Sequence, residues 1–404
     1  MLMEISDFPV EVQIGTLQNL EEKPRISYFD PTVVRFLVTL SSSLINDVES
    51  RKHADVMAFA FWIRKSNLEI TVSKYQADRN RVGYGMCLHI APANVPLNFA
   101  YSLVSSLLAG NRNIVRLPTK IYPQIIFLIE KLRKILDADE FQDIARSICI
   151  IRYEQNDDIT KKLLSYANLK VVWGGDSTIS KIRSINTPAH CKEIIFPDRK
   201  SISVINAESI HKLSISELSK LCEKFYTDSY LFDQNACSSP KIVFWLSGGK
   251  DTSGIRDKFW QVFFEVVKTK YVIEPRNLLL KFTELSHIVA TSNQNLAIGA
   301  PGSLLSVLTF EADTEPFGAR LVNRFGAFFQ DDLERLEDLT SLIDYRIQTI
   351  SYFGVNPKRI ADFVINSRIN GVDRIVPIGK GLDFDLIWDG YDLPRSLSRA
   401  VIIN

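Results

Sequence analysis

The sequence predicts an α/β fold with two domains, each built around a parallel sheet. Short apolar runs rich in β-branched residues recur along the chain, which is typical of buried strands. Segments of helical periodicity separate several of them, and this alternation favours parallel sheets covered by helices. The runs lie at 86–91, 113–117, 148–152, 169–173, 194–196, 201–205 and 241–245.

Helices are predicted at 96–109, 123–136, 159–167, 214–228 and 253–268. The first has Pro96 in its opening turn and Gly110 after its end, the usual order of these residues around a helix. A second strand and helix series begins near residue 200. The 404 residues should therefore form one domain at 1–200, a second at 201–385 and a short tail at 386–404, whose apolar end needs another surface to pair with.

Composition narrows the class of protein. The chain is 46% hydrophobic and 24% charged, as in folded globular proteins. Its 48 Lys and Arg nearly balance 47 Asp and Glu, so no overall field favours nucleic acid or an anionic membrane. The amino terminus lacks the basic start and apolar stretch of a signal peptide. Prolines interrupt the uncharged stretch 91–111, so no membrane span is predicted.

Cysteine usage points to a reducing compartment. The five cysteines are scattered and form no CxxC pair, so neither a disulfide framework nor a metal site is predicted. A cytoplasmic location follows as an expectation. The glycines of 83–85 do not continue into a dinucleotide fingerprint, and 247–250 lacks the first glycine and the Ser/Thr of a phosphate loop.

Several segments carry candidate chemistry, although each has an ordinary structural explanation. Asn94 precedes a helix, where a side-chain amide could stabilise an oxyanion but more often caps the helix. Cys237 stands in a loop of small polar residues, although a cysteine is more often a buried apolar group. Gly174 and Gly175 follow a strand and precede a helix start, which suits a pyrophosphate.

The motifs HIAPANVP, GNRNIVR, VVWGGDSTI, DQNACSSPKIV, DRIVPIGKGLDFDLIWDG and LSRAVII occur in this order between residues 83 and 404. Together they resemble the aldehyde dehydrogenase superfamily, and more closely its LuxC-type branch, the acyl-CoA reductases that supply fatty aldehyde to bacterial luciferase. The resemblance implies an aldehyde dehydrogenase-like fold of two Rossmann-like parallel-sheet domains with a small oligomerisation element. It also implies a homo-oligomer paired through the C-terminal strand.

The resemblance assigns catalytic roles to two residues. Cys237, three positions after Gln234, falls on the nucleophile that takes the acyl group from a thioester. Asn94 falls on the oxyanion-hole asparagine. The implied reaction is the NADPH-dependent reduction of a fatty acyl thioester to the aldehyde, with acyl-CoA or an acyl-protein as substrate and an acyl-protein synthetase as a candidate partner.

The same resemblance assigns cofactor contacts. Arg116 falls on the lysine that holds the adenosine ribose, and Thr119 replaces a ribose-binding glutamate. Loss of that carboxylate, with positive charge on Arg116 and Lys120, favours NADPH over NADH, which stays the alternative. Without the resemblance, Arg116 and Lys120 would be two solvated residues after a strand. The remaining cofactor candidates are Ala91, Pro92, Gly174, Gly175, Ser177 and Thr178.

One departure from the superfamily pattern is informative. Oxidising aldehyde dehydrogenases carry a glutamate that activates the hydrolytic water, whereas the aligned stretch here is 195–200, with Asp198 two positions away. Without that base, water should release the acyl group poorly, which favours reduction. Two alternatives remain: NAD(P)-dependent aldehyde oxidation, and a non-catalytic cofactor-binding subunit of an acyl-transfer complex.

Three further features receive structural interpretations. His89 at a strand end is predicted to be structural or a cofactor-side contact rather than the catalytic base. The segment 388–390 is predicted to form a turn. The acidic run 331–337 is predicted to be the solvated face of a helix.

Overall fold

The computed structural model describes residues 9–18, 26–78, 80–291, 297–309 and 324–403. Residues 1–8, on which the expectation of no signal peptide partly rests, lie outside these ranges. The chain divides into two compact units. Unit 1 comprises residues 1–197 and 384–404, and unit 2 comprises residues 198–383.

The amino-terminal part of unit 1 alternates strands and helices after an initial helical region. Its strands are β1 (Glu11–Ile14), β2 (Arg81–Gly83), β3 (Met86–Ile90), β4 (Arg112–Arg116), β5 (Ile148–Arg152), β6 (Leu169–Trp173) and β7 (Lys192–Phe196). Its helices are α1 (Pro31–Ile45), α2 (Ala54–Trp62), α3 (Lys65–Tyr75), α4 (Asn98–Leu108), α5 (Pro123–Leu136), α6 (Gln142–Ala145), α7 (Asp157–Ser165) and α8 (Asp176–Ser184).

Six of these strands form one sheet in the order β1-β5-β4-β3-β6-β7. Strands β3 to β7 are parallel, and β1 pairs antiparallel with β5. The chain winds outward from β3 to β5 and then returns to place β6 on the other side of β3. This reversal is the topological switch point of a Rossmann-type sheet, where ligands bind at the carboxyl ends of the strands.

Apolar layers cover both faces of this sheet. Phe36 of α1 and Leu103 of α4 belong to the buried cluster on one face, and Ile159 of α7 and Ile179 of α8 belong to the other. Strands β3 and β6 are buried at every position, as expected for parallel strands between two helix layers. Each buried side chain of this size stabilises the fold by about 1.5–3 kcal/mol.

Unit 2 is a second α/β unit. Its strands are β8 (Lys200–Asn206), β9 (Pro240–Leu246), β10 (Ala297–Gly302), β11 (Leu305–Thr309), β12 (Ala327–Leu333), β13 (Ile347–Phe353) and β14 (Arg374–Pro377). They form one sheet in the order β10-β11-β12-β9-β8-β13-β14, parallel except for β10. Its helices are α9 (Ala207–His211), α10 (Ile215–Tyr230), α11 (Ser253–Lys270), α12 (Pro275–Thr291) and α13 (Pro357–Asn366).

The C-terminal segment belongs to unit 1. It contains β15 (Ile387–Trp388), β16 (Tyr391–Asp392), α14 (Leu393–Ser396) and β17 (Ser398–Ala400). Strands β15 and β16 form a hairpin whose turn residues, Asp389 and Gly390, both have positive φ, so the predicted turn is confirmed. Strand β17 pairs antiparallel with β2.

The α/β prediction with two parallel-sheet units is confirmed, and two local predictions are wrong. Helix α4 begins at Asn98, not at Pro96, because residues 91–97 form a loop in which Leu97 is the N-cap. Asp331 and Asp332 lie in β12 rather than on a helix, since this strand pairs with β9 through them. None of the helices in the described ranges is long and apolar enough to cross a membrane.

Candidate active site

Unit 1 carries a cleft at the carboxyl edge of its sheet. The cleft has a volume of about 190 Å³. It is lined by Ile90, Arg116, Tyr153, Gln155, Asn156, Asp157, Thr160, Ser177, Thr178, Lys181, Ile182 and Ile185. These residues end β3 and β4, follow β5, or lie on or directly after helices α7 and α8. The cleft therefore lies where the Rossmann topology places a nucleotide.

Arg116 is held firmly in this cleft. Its guanidinium carbon lies 5.0 Å from the centre of the Tyr153 ring, and Nη2 donates to the Tyr153 carbonyl at 3.4 Å. The Ala91 amide donates to the Arg116 carbonyl at 3.1 Å, which ties the ends of β3 and β4 together. Burial raises the pKa of the Tyr153 hydroxyl, while the nearby Arg116 charge lowers it. The cleft therefore contains a guanidinium cation held over the aromatic ring of Tyr153.

The first turn of α8 presents backbone amides beside the cleft. Gly175 is its N-cap, and in the described structure no side chain caps this end. A Cβ atom placed on Gly175 would meet no atom within 4 Å, so the approach to the turn is open. Ser177 and Thr178 are exposed here. Free amides at a helix N-terminus bind phosphate groups, which makes this turn suitable for a pyrophosphate.

The structure brings some of the predicted cofactor residues together and separates others. Arg116, Ser177 and Thr178 line the cleft, but Thr119 and Lys120 are exposed beyond β4 and do not line it. The Lys120 ammonium instead lies 4.6 Å from the centre of the Tyr122 ring. The remaining predicted contacts, Ala91, Pro92, Gly174 and Gly175, lie in the segments that follow β3 and β6.

Sequence reasoning missed the contribution of β5 and α7. Tyr153 follows β5, and Asn156 caps α7 by accepting hydrogen bonds from two backbone amides of its first turn. Lys181 of α8 forms a 2.7 Å ion pair with Asp157 across the cleft lining. The available signal was the Asn-Asp-Asp sequence of a helix start directly after a predicted strand, which placed this turn at the ligand-binding edge.

Asn94 lies exposed in the loop between β3 and α4. Because Leu97 is the N-cap of α4, Asn94 does not cap this helix. The hydroxyl of Tyr122 donates to the carbonyl of Ala93. This bond fixes the backbone immediately before Asn94.

His89 is fully buried beneath the switch point. Its Nδ1 lies 2.7 Å from the Ser102 hydroxyl and its Nε2 lies 3.0 Å from Asn113 Oδ1. The Trp173 indole donates to the same Ser102 oxygen at 3.1 Å. Burial lowers the pKa of His89 to about 4. The imidazole is therefore neutral at pH 7 and joins β3, α4 and β4, in agreement with a structural role.

Cys237 lies in unit 2, in the loop that leads into β9. It is half-buried, whereas Cys87, Cys149 and Cys222 are buried. Because the strands on both sides of β9 run parallel to it, this loop lies at the amino edge of the sheet, where β8 and β12 also begin. The hydroxyl of Ser201 in β8 donates to the Cys237 carbonyl at 2.7 Å.

Gln234 fixes the same loop from inside. Its side chain is fully buried and donates to the carbonyls of Pro240 and Ala327 at 3.0 and 2.9 Å. Its Oε1 accepts from the Gly326 amide at 3.1 Å. All its side-chain donors and acceptors are thus used in joining the loop to β9 and β12. Support of the loop backbone therefore explains why Gln234 is part of the nucleophile motif.

Charged side chains gather at this amino edge. Lys241 of β9 is buried and donates from its ammonium to the Gln234 carbonyl. Burial lowers its pKa to about 7, with further lowering by Arg324 and Lys200. Burial likewise lowers the pKa of Lys200 to about 8. Glu284 of α12 forms an ion pair with Arg324 at 3.7 Å, and burial raises the pKa of that carboxyl.

The stretch aligned with the missing glutamate runs from the end of β7 to the start of β8. Asp198 is its sole carboxylate and is exposed. The neighbouring Arg199 is engaged elsewhere, because it pairs with Asp373 and donates to the Ile347 carbonyl. Within the described residues, no group of three His, Cys, Asp or Glu side chains is arranged to hold a metal ion.

Comparison with known sequences shows the family to which the chain belongs. The family model described as acyl-CoA reductase (LuxC) matches residues 65–276, which is just over half of the chain. The chain belongs to the LuxC family. The matched region contains the cleft of unit 1, the Asn94 loop and the Cys237 loop.

Curated relatives of this LuxC family member are long-chain acyl-protein thioester reductases. The reductase of Vibrio harveyi is 28% identical over 169 residues, which are 41% of this chain and 33% of the relative. Reductase 2 of Photobacterium leiognathi is 26% identical over 170 residues, again 41% of this chain and 33% of the relative. The similarity thus spans about a third of the length of these relatives.

Solved structures confirm the fold of this LuxC family member. Aldehyde dehydrogenase 21 from Physcomitrella patens matches with a TM-score of 0.64 at 10% identity, covering 93% of this chain and 85% of that one. The benzaldehyde dehydrogenase of Corynebacterium glutamicum matches with a TM-score of 0.61 at 14% identity, covering 94% and 86%. The aldehyde dehydrogenase-like fold predicted from the sequence is therefore confirmed.

Proposed function

We propose that this protein reduces a fatty acyl thioester to the aldehyde, with Cys237 carrying the acyl group. The observation that carries the proposal is the Cys237 loop of a LuxC family member, in which a half-buried thiol stands on a backbone fixed by Ser201 and Gln234. A fixed loop holds a nucleophile in one orientation, which reduces the entropy lost on reaching the transition state.

In the proposed reaction, the Cys237 thiolate attacks the thioester carbonyl and the C–S bond to the leaving thiol breaks. The amide of Asn94 and the backbone N–H of Cys237 stabilise the oxyanion. Arg116 and the first-turn amides of α8 would hold a nicotinamide cofactor in the cleft of unit 1, and that cofactor would supply the hydride needed to reduce the acyl carbon. The C–S bond to Cys237 then breaks, which releases the aldehyde and regenerates the thiolate.

NADPH is the proposed cofactor, with NADH as the alternative. Arg116 supplies a cation over the Tyr153 ring. Thr119 lies outside the cleft lining, but it carries no charge that would repel a 2′-phosphate near it. Lys120 supports this preference less than the sequence suggested, since its ammonium stacks on Tyr122 outside the cleft lining. The amides at the start of α8 would hold the pyrophosphate, with Ser177 and Thr178 beside them.

The acyl donor is proposed to be a coenzyme A thioester or an acyl-protein delivered by a synthetase partner. The curated relatives are named long-chain acyl-protein thioester reductases, which supports this class of donor. A cytoplasmic homo-oligomer stays part of the proposal.

The test is an activity screen on the purified protein. Short, medium and long acyl-CoA substrates are supplied with NADPH or NADH, and cofactor oxidation and aldehyde formation are followed together. Wild-type protein should form aldehyde, and Cys237→Ala should lose both aldehyde formation and covalent labelling by radioactive acyl-CoA. Normal turnover by Cys237→Ala would contradict the proposal. Acid formation from aldehyde with NAD(P) would favour aldehyde oxidation, and inactivity with every donor would favour a non-catalytic subunit.

A further inference from the structure

Lys241 is a buried lysine at the base of the Cys237 loop. Only 7% of its surface is exposed. Its ammonium donates to the carbonyl of Gln234, which lies three residues before the cysteine. A buried ammonium costs free energy unless its surroundings compensate, so a lysine here needs an explanation that the fold alone does not supply.

We propose that Lys241 is a positioning residue for Cys237, which holds the loop that presents the thiol and supplies a buried positive charge that favours the thiolate. This inference rests on the proposed function, because it gives Lys241 a role only in the chemistry of Cys237. It assigns the lysine no contact with substrate.

The backbone of the loop shows why a bond to Gln234 matters. Asp233 and Gln234 both have positive φ, a conformation that costs side-chain-bearing residues free energy and persists only where the surroundings impose it. The Tyr271 hydroxyl donates to the Asp233 carboxylate at 2.6 Å, and the Asp233 carbonyl accepts from the Phe325 amide at 3.0 Å. Lys241 adds a contact to the carbonyl of Gln234, three residues before Cys237.

The charge acts over a short distance. Three residues of extended chain span at most about 10 Å, so the ammonium at the Gln234 carbonyl stays within roughly that distance of the Cys237 backbone. Salt screens buried charges much less than exposed ones. Positive charge near a cysteine lowers the pKa of its thiol and increases the fraction of reactive thiolate.

The charged groups around Lys241 and its burial bring its pKa close to neutral pH, so its charge changes with small changes in pH. Arg324 before β12 and Lys200 of β8 lower its pKa, and burial lowers it most, whereas Asp198 and Glu284 raise it, which leaves the pKa at about 7. A thiolate at Cys237 favours the protonated lysine by the same free energy with which the protonated lysine favours the thiolate.

The chain offers a matched control in Lys281 of α12. This lysine is also buried, with 1% exposure, and its ammonium donates to the carbonyls of Ser303 and Gly326 at 3.0 and 3.3 Å. Burial lowers its pKa to about 7 as well, with no charged group contributing. It thus resembles Lys241 in burial and in bonding to carbonyls, but it contacts no carbonyl of the Cys237 loop.

The experiment measures the thiol pKa of Cys237 in the full-length protein. Alkylation by iodoacetamide is followed from about pH 5 to about pH 10, and the Cys237 peptide is quantified by mass spectrometry to separate it from the other cysteines. Lys241→Gln keeps an N–H donor for the Gln234 carbonyl but removes the charge, and Lys241→Arg keeps the charge. Lys281→Gln is the control, and thermal melting checks that each variant folds.

Lys241→Gln should raise the apparent thiol pKa by about one unit, which slows alkylation about tenfold at pH values below it. Lys241→Arg should restore most of the rate, and Lys281→Gln should alkylate like wild type. Equal rates for Lys241→Gln and wild type, or equal slowing in both glutamine variants, would overturn the inference. If Lys241→Gln does not fold, wild type is compared with Lys241→Arg. A difference of a full unit between their Cys237 thiol pKa values would then overturn the inference. Failure of the proposed function gives a different result, namely normal acyl-CoA reduction by Cys237→Ala.

Discussion

The hydroxyl of Ser201, at the start of β8, donates a 2.7 Å hydrogen bond to the carbonyl of Cys237 in the loop before β9. It joins two neighbouring strands of the unit 2 sheet at the position of the proposed nucleophile.

Removing this bond should affect turnover more than stability. Ser201→Ala leaves the Cys237 carbonyl without its hydroxyl donor, which costs about 1 kcal/mol of folding free energy and loosens the loop. We expect kcat for acyl-CoA reduction to fall by about tenfold, because misplaced reacting atoms lose rate steeply. Steady-state kinetics and urea unfolding measure the two effects. The control is Ser203→Ala in the same strand as Ser201, which removes a buried hydrogen bond to Ser351 of β13. It should lose similar stability with unchanged kcat, and equal kcat losses would refute the prediction.

Arg116 should control affinity for the phosphorylated cofactor. Arg116→Ala removes the cation fixed on Tyr153, and a lost charged hydrogen bond costs about 1.5–3 kcal/mol, or roughly 10–100-fold in Kd. NADPH affinity should fall by this factor and NADH affinity by much less, as measured by fluorescence titration. Lys162→Ala, which removes an α7 cation that lies over Tyr166 outside the cleft lining, should change neither affinity. Equal losses for both cofactors in Arg116→Ala would argue against 2′-phosphate recognition.

Tyr122 should act on the Asn94 loop through Ala93. Tyr122→Phe keeps the ring on which Lys120 stacks and removes the hydroxyl that donates to the Ala93 carbonyl. We expect kcat to fall about fivefold, since the lost hydrogen bond holds the carbonyl directly before Asn94. The Kd for NADPH should stay unchanged, because the Tyr122 ring does not line the cleft. Tyr166→Phe, at the residue that follows α7, is the matched hydroxyl deletion. A weaker Kd for NADPH with normal kcat would show that the bond serves cofactor binding instead.

Acid should destabilise unit 1 through His89. Its pKa is about 4 in the folded chain and 6.5 for an ordinary histidine, so the unfolded chain binds more protons between these values and stability falls as the pH drops through this window. Between pH 7 and pH 5 the loss from this group is about 2 kcal/mol. His89→Asn should be less stable at pH 7 but should lack this part of the pH dependence. Parallel curves of unfolding free energy against pH for the two proteins would contradict the assignment.

Much of the fold follows from local patterns. Residues 148–152, 169–173 and 123–136 were predicted with the bounds that the structure has, because continuous β-branched runs and a proline-led helix carry strong signals. The start of α4 was placed two residues early since Pro96 is also compatible with the loop that precedes the helix. The acidic run after Phe329 looked like a solvated helix, but pairing with β9 decides its structure, and pairing across the sheet leaves no local pattern.

Some residues of the candidate site could likewise be predicted from short sequence motifs, and others could not. Cys237, Asn94 and Arg116 were named as candidates because short motifs mark them. The contributions of Lys241, Tyr153 and Lys181 were missed, since a lysine in a strand or on a helix is usually a solvated group and only the tertiary structure buries it or places it in a cleft. The position of the Lys120 ammonium over the Tyr122 ring could not be predicted, because neighbouring groups in the folded protein set the direction of a long flexible side chain.

The pairing of β17 with β2 has a consequence for biosynthesis. Arg81 donates from its guanidinium to the Ser398 carbonyl, a partner 317 positions away in sequence. Unit 2 is one uninterrupted stretch of chain, so all of it leaves the ribosome before the strand that completes unit 1. During that interval the edge of β2 is unpaired in the nascent protein. Long-range closure of this kind is slow and exposes the chain to wrong partners, which makes unit 1 the half of the molecule that depends most on protection while it is being made.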